Sequence, residues 1–318
     1  MNKRITVKDL ARLCDVSIGT VDRALNGRGR INPDTKAKIL AAARDHGYIK
    51  NQYAQTLSSG KSNLIGVIVL NLHNEYFPAL LTGVDNEATA RGYCTLFMSS
   101  DCSPEKEQSC IERLLSMNVA GIIVCSVQKD PSRCLCIAEA GTPIIAVSNR
   151  IGEGIPYTGI DDYTAMRDAA RYILSRGWEH ICYISTALAK ADIQNISAQS
   201  ERARGFRDAM AEADIPFDMV ADKAAFAALT PPENKRTALL CSSDVYTQRC
   251  IVKFRERIDS GELGLMGFDN SESLRTLYPG LATVSYDTCQ IGREALRLLL
   301  EGGDNRLLPY AIIKGSTI

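Results

Sequence analysis

At 318 residues the chain is too long for one ordinary hydrophobic core, so we expect two or three domains. Its composition, 45% hydrophobic and 23% charged residues, is that of a soluble globular protein. It contains no run of the ~18 apolar residues that a membrane span needs, and the N-terminus MNKRITVKDL lacks the apolar run of a signal peptide. These features exclude a membrane partner and predict a cytoplasmic location.

The charge of the chain is unevenly distributed. Residues 1–61 contain twelve Lys and Arg, five Asp and no Glu, a net charge of about +7, and the remainder therefore carries about −7. A basic head on an acidic body is typical of a nucleic-acid binder with a separate regulatory part. A merely solvated basic face would give the same count, and charge alone does not separate the two interpretations.

The sequence offers no set of residues typical of a metal site or an enzyme. The eleven cysteines form no Cys-x-x-Cys pair and the chain has three His, so we expect neither a structural zinc nor another cofactor. No Gly-x-Ser-x-Gly motif occurs, and no Cys stands beside a recognisable base. Asp161 and Asp162 are adjacent and would point in different directions, which makes a poor acid–base pair.

Local signals in the head predict three short helices. Thr6 and Asp9 make an N-cap with an acidic first turn, Ser17 caps a second helix, and residues 32–34 (Asn-Pro-Asp) open a third that ends at Gly47. The second helix would bury Val21, Ala24 and Leu25 and present Gly19, Asp22, Arg23 and Asn26 on its other face. Short helices with a tight turn between the first two make a helix-turn-helix unit.

The head resembles the lactose-repressor (LacI/GalR) family of bacterial transcription regulators. The matching residues are Thr6-Val7-Lys8-Asp9-Leu10-Ala11, Val16-Ser17, Thr20-Val21, Arg23, Leu25-Asn26-Gly27 and Gly47-Tyr48. The resemblance implies that the second helix enters the major groove of double-stranded operator DNA. Its base-reading positions correspond to Ile18, Gly19 and Arg23, and Arg suits guanine O6 and N7. A phosphate contact or a salt bridge within the head is the alternative for Arg23. The DNA-facing residues we expect in the head are Thr6, Ser17, Ile18, Gly19, Thr20, Asp22, Arg23, Asn26 and Arg28.

Two residues depart from the family pattern. Asp22 replaces a usual Ser, and a carboxylate near phosphates needs a partner. It could accept from a cytosine N4 amine, or pair with Arg23 or Arg28, and we favour the arginine pairing. Gly19 lacks a side chain at a position where many relatives contact a base, so the protein would make fewer contacts with each operator half-site.

Residues 49–62 resemble the family's hinge, which becomes helical on operator DNA. Asn51, Ala54 and Leu57 carry the match, and the leucine corresponds to one that wedges into the minor groove and bends the duplex. Lys50 replaces the usual Pro near the hinge start. A plain interdomain linker is the alternative interpretation.

Residues 63–318 alternate strand-like and helix-like segments, beginning with the apolar run 64–70, and this predicts parallel sheets. We expect an α/β body of two Rossmann-like lobes, which resembles the type I periplasmic-binding-protein body of the same family. Crossovers between the lobes would lie near Asp161, near Asp287 and in the 302–309 loop. The predicted strands are 94–98, 121–125, 143–147, 157–160, 180–185, 237–241, 263–267 and 281–286. The predicted helices are 76–91, 104–117, 132–140, 163–176, 199–213, 244–258 and 288–301.

Short motifs at the predicted strand ends match the family's ligand-facing positions. The ligand-binding residues that this match implies are Asn74, Tyr76, Phe77, Asn149, Arg150, Arg202, Ser243, Asp244 and Asp269. Amides, guanidinium groups and carboxylates suit a hydroxyl-rich, sugar-like effector. Asn149 and Ser243 replace an acid and an amide, so a sugar acid, polyol or sugar phosphate is also possible. Strand-end capping or lobe packing is the alternative for each residue, and Tyr76 could belong to the core.

The resemblance implies a ligand-responsive transcription regulator, most often a repressor in this family. It would bind a palindromic operator, and since the chain lacks the apolar heptads of a tetramerisation tail we expect a homodimer. A solute-binding transport component would share the body, but the head and the missing signal peptide disfavour it. Nothing in the sequence supports an enzyme.

Overall fold

The computed structural model describes residues 5–27, 29–48 and 62–318. The chain divides into two compact units, Met1–Lys61 and Ser62–Ile318, which we call the head and the body. Among the described residues, no helix has the length and apolar character needed to cross a bilayer.

The described residues of the head form three helices, α1 (Val7–Cys14), α2 (Ile18–Asn26) and α3 (Pro33–Asp45). The Ser17 hydroxyl accepts a hydrogen bond from Thr20 N at 3.1 Å, as a helix N-cap does. Leu10, Val21 and Ile39, one from each helix, are fully buried and form the centre of a small core. The helix starts follow from local signals, and the apolar positions at helical spacing supply the core that holds such short helices together.

The body contains two six-stranded sheets with helices around them. The strands are β1 (Leu64–Val69), β2 (Cys94–Ser99), β3 (Gly121–Val124), β4 (Ile144–Val147), β5 (Tyr157–Gly159), β6 (His180–Ile184), β7 (Phe217–Val220), β8 (Thr237–Cys241), β9 (Leu263–Asp269), β10 (Ala282–Tyr286), β11 (Arg306–Leu307) and β12 (Tyr310–Ile313). The helices are α4 (Tyr76–Ala90), α5 (Pro104–Ser116), α6 (Ser132–Glu139), α7 (Asp162–Ser175), α8 (Ser197–Ala213), α9 (Lys223–Ala228), α10 (Asp244–Asp259), α11 (Glu272–Leu277) and α12 (Thr288–Glu301), with a 3-10 helix over Thr186–Lys190.

Each sheet is the centre of one lobe. The strand order is β11-β5-β4-β3-β1-β2 in the first lobe and β12-β10-β9-β8-β6-β7 in the second. All pairings are parallel except that of β10 with β12, which is antiparallel. The order reverses between β1 and β3 and between β6 and β8, and ligands of open α/β sheets bind beyond such points. The predicted fold class, a helical head and an α/β body of two lobes, is confirmed.

The chain passes between the lobes three times. It enters the second lobe after β5 and returns to the first lobe after β10, where α12 packs on α4. It passes to the second lobe again between β11 and β12. Gly83 of α4 meets α12 so closely that a Cβ atom there would lie 1.9 Å from the Cys289 carbonyl oxygen. Glycine is therefore required where these two helices cross.

Five elements of the body, β7, β11, β12, α9 and α11, and the 3-10 helix have no counterpart among the predicted ranges. In the edge strands β7 and β12 two of the four residues are exposed, β11 has two residues, and α9 and α11 have six each. Short or edge elements bury few side chains, so their sequences carry a weak hydrophobic pattern.

Candidate functional site

The second helix of the head presents an exposed polar face. Gly19, Asp22 and Arg23 are exposed, Ile18 is 50% exposed, and Val21 is fully buried on the opposite side. The structure thus gives α2 the one-sided burial that its sequence predicts, and the polar face does not pack into the core of the head.

Several of the predicted DNA-facing residues also serve the head itself. The Thr6 hydroxyl donates to an Asp9 carboxylate oxygen at 2.6 Å, and Ser17 and Thr20 share a hydrogen bond between their hydroxyls at 2.9 Å. Arg23 donates from Nε to the Gly19 carbonyl at 3.2 Å. These contacts place Thr6, Ser17 and Thr20 at helix starts, where capping is sufficient to explain them.

The structure gives Asp22 a partner that sequence reasoning missed. Its Oδ1 accepts a 2.8 Å hydrogen bond from Asn26 Nδ2. Residues four apart lie one helical turn apart and their side chains meet. Arg23 instead donates to the Gly19 carbonyl, and no ion pair joins it to Asp22 among the described residues, so the Asn26 amide takes the place expected for Arg23. The other expected partner, Arg28, lies outside the described residues, as do Asn51, Ala54 and Leu57 of the hinge.

A cleft of about 640 Å³ lies between the two lobes of the body. It is lined by residues that follow the carboxyl ends of strands in both sheets. The predicted ligand residues that line it are Asn74, Tyr76, Phe77, Asn149, Arg202, Ser243 and Asp269.

Arg202 is held in a buried polar cluster at this cleft. Its side chain donates from Nε to Asp162 Oδ1 at 2.8 Å and from Nη1 to the Ser242 carbonyl at 2.6 Å, and Nη1 lies 3.6 Å from Asp269 Oδ1. The guanidinium carbon lies 3.8 Å from the centre of the Phe268 ring. Arg202 is 7% exposed, and burial raises the pKa of Asp162 and of Asp269 even though Arg202 opposes this. The cluster fixes a guanidinium at the wall of the cleft.

Asp269 adopts an unusual backbone conformation beside Arg202. Its φ angle is 106°, outside the range that non-glycine residues ordinarily occupy. The Tyr286 hydroxyl donates to Asp269 Oδ1 at 2.5 Å, and the backbone NH of Asp244 donates to Oδ2 at 3.3 Å. Such strain is maintained only where neighbouring contacts hold it, and it occurs preferentially at functional sites.

Asn149 joins the two lobes. Its Nδ2 donates to the carbonyls of Ser126, in the first lobe, and of Asn195, in the second, at 3.1 and 3.0 Å. Its Oδ1 accepts from the backbone NH of Ala198 at 3.3 Å. The amide is 4% exposed, so its hydrogen-bonding capacity is largely used between the lobes, as the lobe-packing alternative for this residue expects.

Three predicted ligand residues lie elsewhere or serve packing. Arg150 lines a separate recess, with its guanidinium 4.1 Å from the centre of the Tyr157 ring. Asp244 does not line the cleft and accepts from the Ser271 NH at 2.6 Å. Phe77 borders the cleft but is 3% exposed within the core of the body. Adjacent residues at a strand end point in different directions, so Asn149 lines the cleft and Arg150 does not, and Ser243 lines it and Asp244 does not.

The cleft also contains charged residues that sequence reasoning missed. Asp162 anchors Arg202, and Lys190, Lys223 and Arg249 line the wall formed by the second lobe. Asp162 and Lys190 come soon after predicted strands, so an inventory of polar residues after every strand would have found them, whereas Arg249 lies within the predicted helix 244–258. Lys223 follows β7, which the sequence pattern does not predict.

The described residues bring together a group of possible metal ligands, namely His180, Cys182 and Asp218, on the β6–β7 pair. Their ligand atoms all lie within 4.8 Å of one another, and His180 Nε2 is 3.4 Å from Asp218 Oδ2. Burial lowers the pKa of His180 and raises the pKa of the Cys182 thiol to about 12. None of the three lines the interlobe cleft, so this group is separate from the candidate ligand site.

Comparison with known proteins identifies both parts of the chain. A family model described as bacterial regulatory proteins of the lacI family matches residues 6–51. A second, described as periplasmic binding proteins and sugar binding domain of the LacI family, matches residues 62–223, and a periplasmic-binding-protein-like domain matches residues 170–310. The families that match are thus those of a DNA-binding head and a ligand-binding body.

Whole-length relatives share this organisation. The transcriptional regulator RegA of Clostridium saccharobutylicum is 27% identical, with 93% of this chain and 92% of RegA covered. Catabolite control protein A of Priestia megaterium is 26% identical, with 98% and 96% covered.

A crystal structure of the lac repressor dimer bound to operator and an anti-inducer matches the fold, with a TM-score of 0.82, 21% identity and 99% of each chain covered. The chain belongs to the LacI family of bacterial transcription regulators, with a DNA-binding helix-turn-helix head and a periplasmic-binding-protein-like body.

Proposed function

We propose that this protein is a ligand-responsive repressor, and not an enzyme, that binds a palindromic operator as a homodimer. A small sugar-like effector in the interlobe cleft would control its affinity for DNA. The DNA-binding domain would comprise residues 1–48, the hinge 49–62 and the ligand-binding domain 63–318. The lac repressor in the matching structure is a dimer on its operator, and this arrangement supports the same assembly here.

The observation that carries the proposal is the interlobe cleft with its fixed guanidinium. Nε and Nη1 of Arg202 are taken by protein oxygens, whereas Nη2 makes no hydrogen bond to any described residue. It can therefore donate to an effector oxygen. Asn74 and Tyr76, from the first lobe, line the same cleft, so an effector that contacts all three would favour lobe closure. A ligand that binds the closed form more tightly than the open form shifts that equilibrium.

In the head, we propose that Arg23 reads a base and that Ile18 and Gly19 approach the groove beside it. Asp22 and Asn26, joined by their hydrogen bond, would act as one polar unit on the same face. The unit carries amide hydrogens and carboxylate oxygens, the kinds of donor and acceptor that pair with base edges.

The test begins with selection of bound DNA from a random library by the full-length protein. A palindromic consensus is expected. A second DNA then carries one base-pair change in a half-site. Arg23→Ala should reduce the difference in binding free energy between the operator and this changed DNA by about 1–3 kcal/mol. Arg12→Ala is the matched control, because Arg12 is an 83% exposed arginine of the same head. Equal loss of affinity of Arg23→Ala for operator and scrambled DNA would indicate a phosphate contact instead.

A further inference from the structure

Three cations on one wall of the interlobe cleft have no carboxylate partner in the part of the chain that the structure describes. Lys190 ends the 3-10 helix after β6, Lys223 begins α9 after β7, and Arg249 lies on α10 after β8. These strands are neighbours in the second lobe, in the order β8-β6-β7. All three side chains are exposed, and the guanidinium carbon of Arg249 lies 5.7 Å from the centre of the Tyr246 ring.

The other charges of the cleft lie in ion pairs with neighbouring residues, and together these carry a net charge of −1. Arg202 is paired with Asp162 and Asp269, and Asp101 accepts from Lys106 at 2.6 Å. The charged residues that line the cleft, taken together with the partners Lys106 and Asp162, carry a net charge of +2. The body as a whole carries about −7 by sequence, so this wall is a positive region on an acidic body.

We propose that the cleft takes an anionic effector, a phosphorylated or carboxylated sugar or polyol. This inference rests on the proposed function, and it specifies the ligand of that site. The anionic group would lie among Lys190, Lys223 and Arg249, and the hydroxyl-bearing part would point towards Arg202 and the first lobe.

Electrostatics favours this orientation. Three like charges on one wall repel each other, and an anion among them relieves that repulsion and forms charge-assisted hydrogen bonds. The opposite orientation would bring the anion next to the buried carboxylates of Asp162 and Asp269. A neutral sugar could contact the deeper residues but would leave the three cations uncompensated.

The experiment measures thermal unfolding of the full chain in inorganic phosphate and in sodium chloride of equal ionic strength. The test variant is Lys190→Met/Lys223→Met/Arg249→Met. The control is Lys235→Met/Arg255→Met, which removes two exposed cations of the same lobe that do not line the cleft. Phosphate bound by the basic head contributes equally to all three proteins, so the difference between them reports the cleft.

The phosphate-specific rise in Tm should be about 2 °C or more in the wild type and the control, and less than half as large in the triple variant. Lys223→Met alone, with circular dichroism as a check on folding, should give an intermediate rise. Equal rises in the wild type and the triple variant would overturn the proposal.

Matched pairs of neutral sugars and their phosphate esters extend the test. In each pair that binds, the ester should give the larger rise in Tm. A neutral sugar that raises Tm more than its own ester would overturn the proposal. Operator binding without added ligand is measured on the same proteins. If no operator is found, the proposed function fails, whereas operator binding combined with equal phosphate shifts refutes the anionic effector alone.

Discussion

Replacement of Arg202 by leucine tests the buried charge cluster of the cleft. Arg202→Leu keeps an aliphatic side chain against Phe268 but leaves Asp162 and Asp269 buried without a cation. At the 2.8 Å separation of Arg202 and Asp162, the Coulomb attraction is about 6 kcal/mol for an effective dielectric constant of about 20. Removal of one partner from a buried pair typically costs about 3–5 kcal/mol, and we expect a loss of that size.

The loss should depend on pH. Burial raises the pKa of Asp162 and Asp269 above the ordinary value of about 4 even with Arg202 present, and removal of Arg202 raises both further. A carboxyl whose pKa is raised by folding binds protons more tightly in the folded state. Its contribution to stability therefore falls as pH rises from about 4 to the raised pKa. Arg202→Leu should be most destabilising at pH 8 and less so at pH 5.

Trp178 provides the assay. It is the single tryptophan of the chain, is 6% exposed, and lies two residues before β6 in the lobe that contains Arg202. Urea unfolding followed by its fluorescence at pH 8 and pH 5 measures that lobe. The double variant Arg202→Leu/Asp162→Asn should recover about 1–3 kcal/mol at pH 8, since one unpaired carboxylate is removed. A loss below about 1 kcal/mol at pH 8, or equal losses at both pH values, would refute the reasoning.

Two further variants test residues around the same cleft. Burial, with a contribution from Asp269, raises the pKa of Asp244 to about 7. Asp244→Asn should therefore raise the free energy of unfolding in urea by up to about 4 kcal/mol at pH 8 but only by about 1.5 kcal/mol at pH 5. An equal gain at both pH values would contradict that pKa. Asn149→Ala removes the side-chain hydrogen bonds that join the lobes, and small-angle X-ray scattering should show a larger radius of gyration. Arg150→Ala is the control, because the interlobe hydrogen bonds of Arg150 come from its backbone, and equal scattering from the two variants would contradict the role of Asn149.

Local sequence signals were sufficient to predict the helix starts of the head, the buried strands and the presence of a cleft. Ser17 caps α2 in the structure as predicted, since an N-cap acts through hydrogen bonds to residues at most three positions away. The continuous apolar run of β1 indicated a buried parallel strand, and five of its six residues are buried. Because parallel strands end at the same edge of a sheet, polar residues after predicted strands also indicated a cleft.

Tertiary structure decided which of those polar residues face the cleft. Asp161 and Asp162 are neighbours in sequence, yet the first caps a helix through Thr164 and the second is buried against Arg202, forty residues later. Asn149 matched a ligand motif, but its amide is used between the lobes. Such contacts depend on strand order and on how the lobes close, and no local pattern encodes the distance between residues that are far apart in the chain.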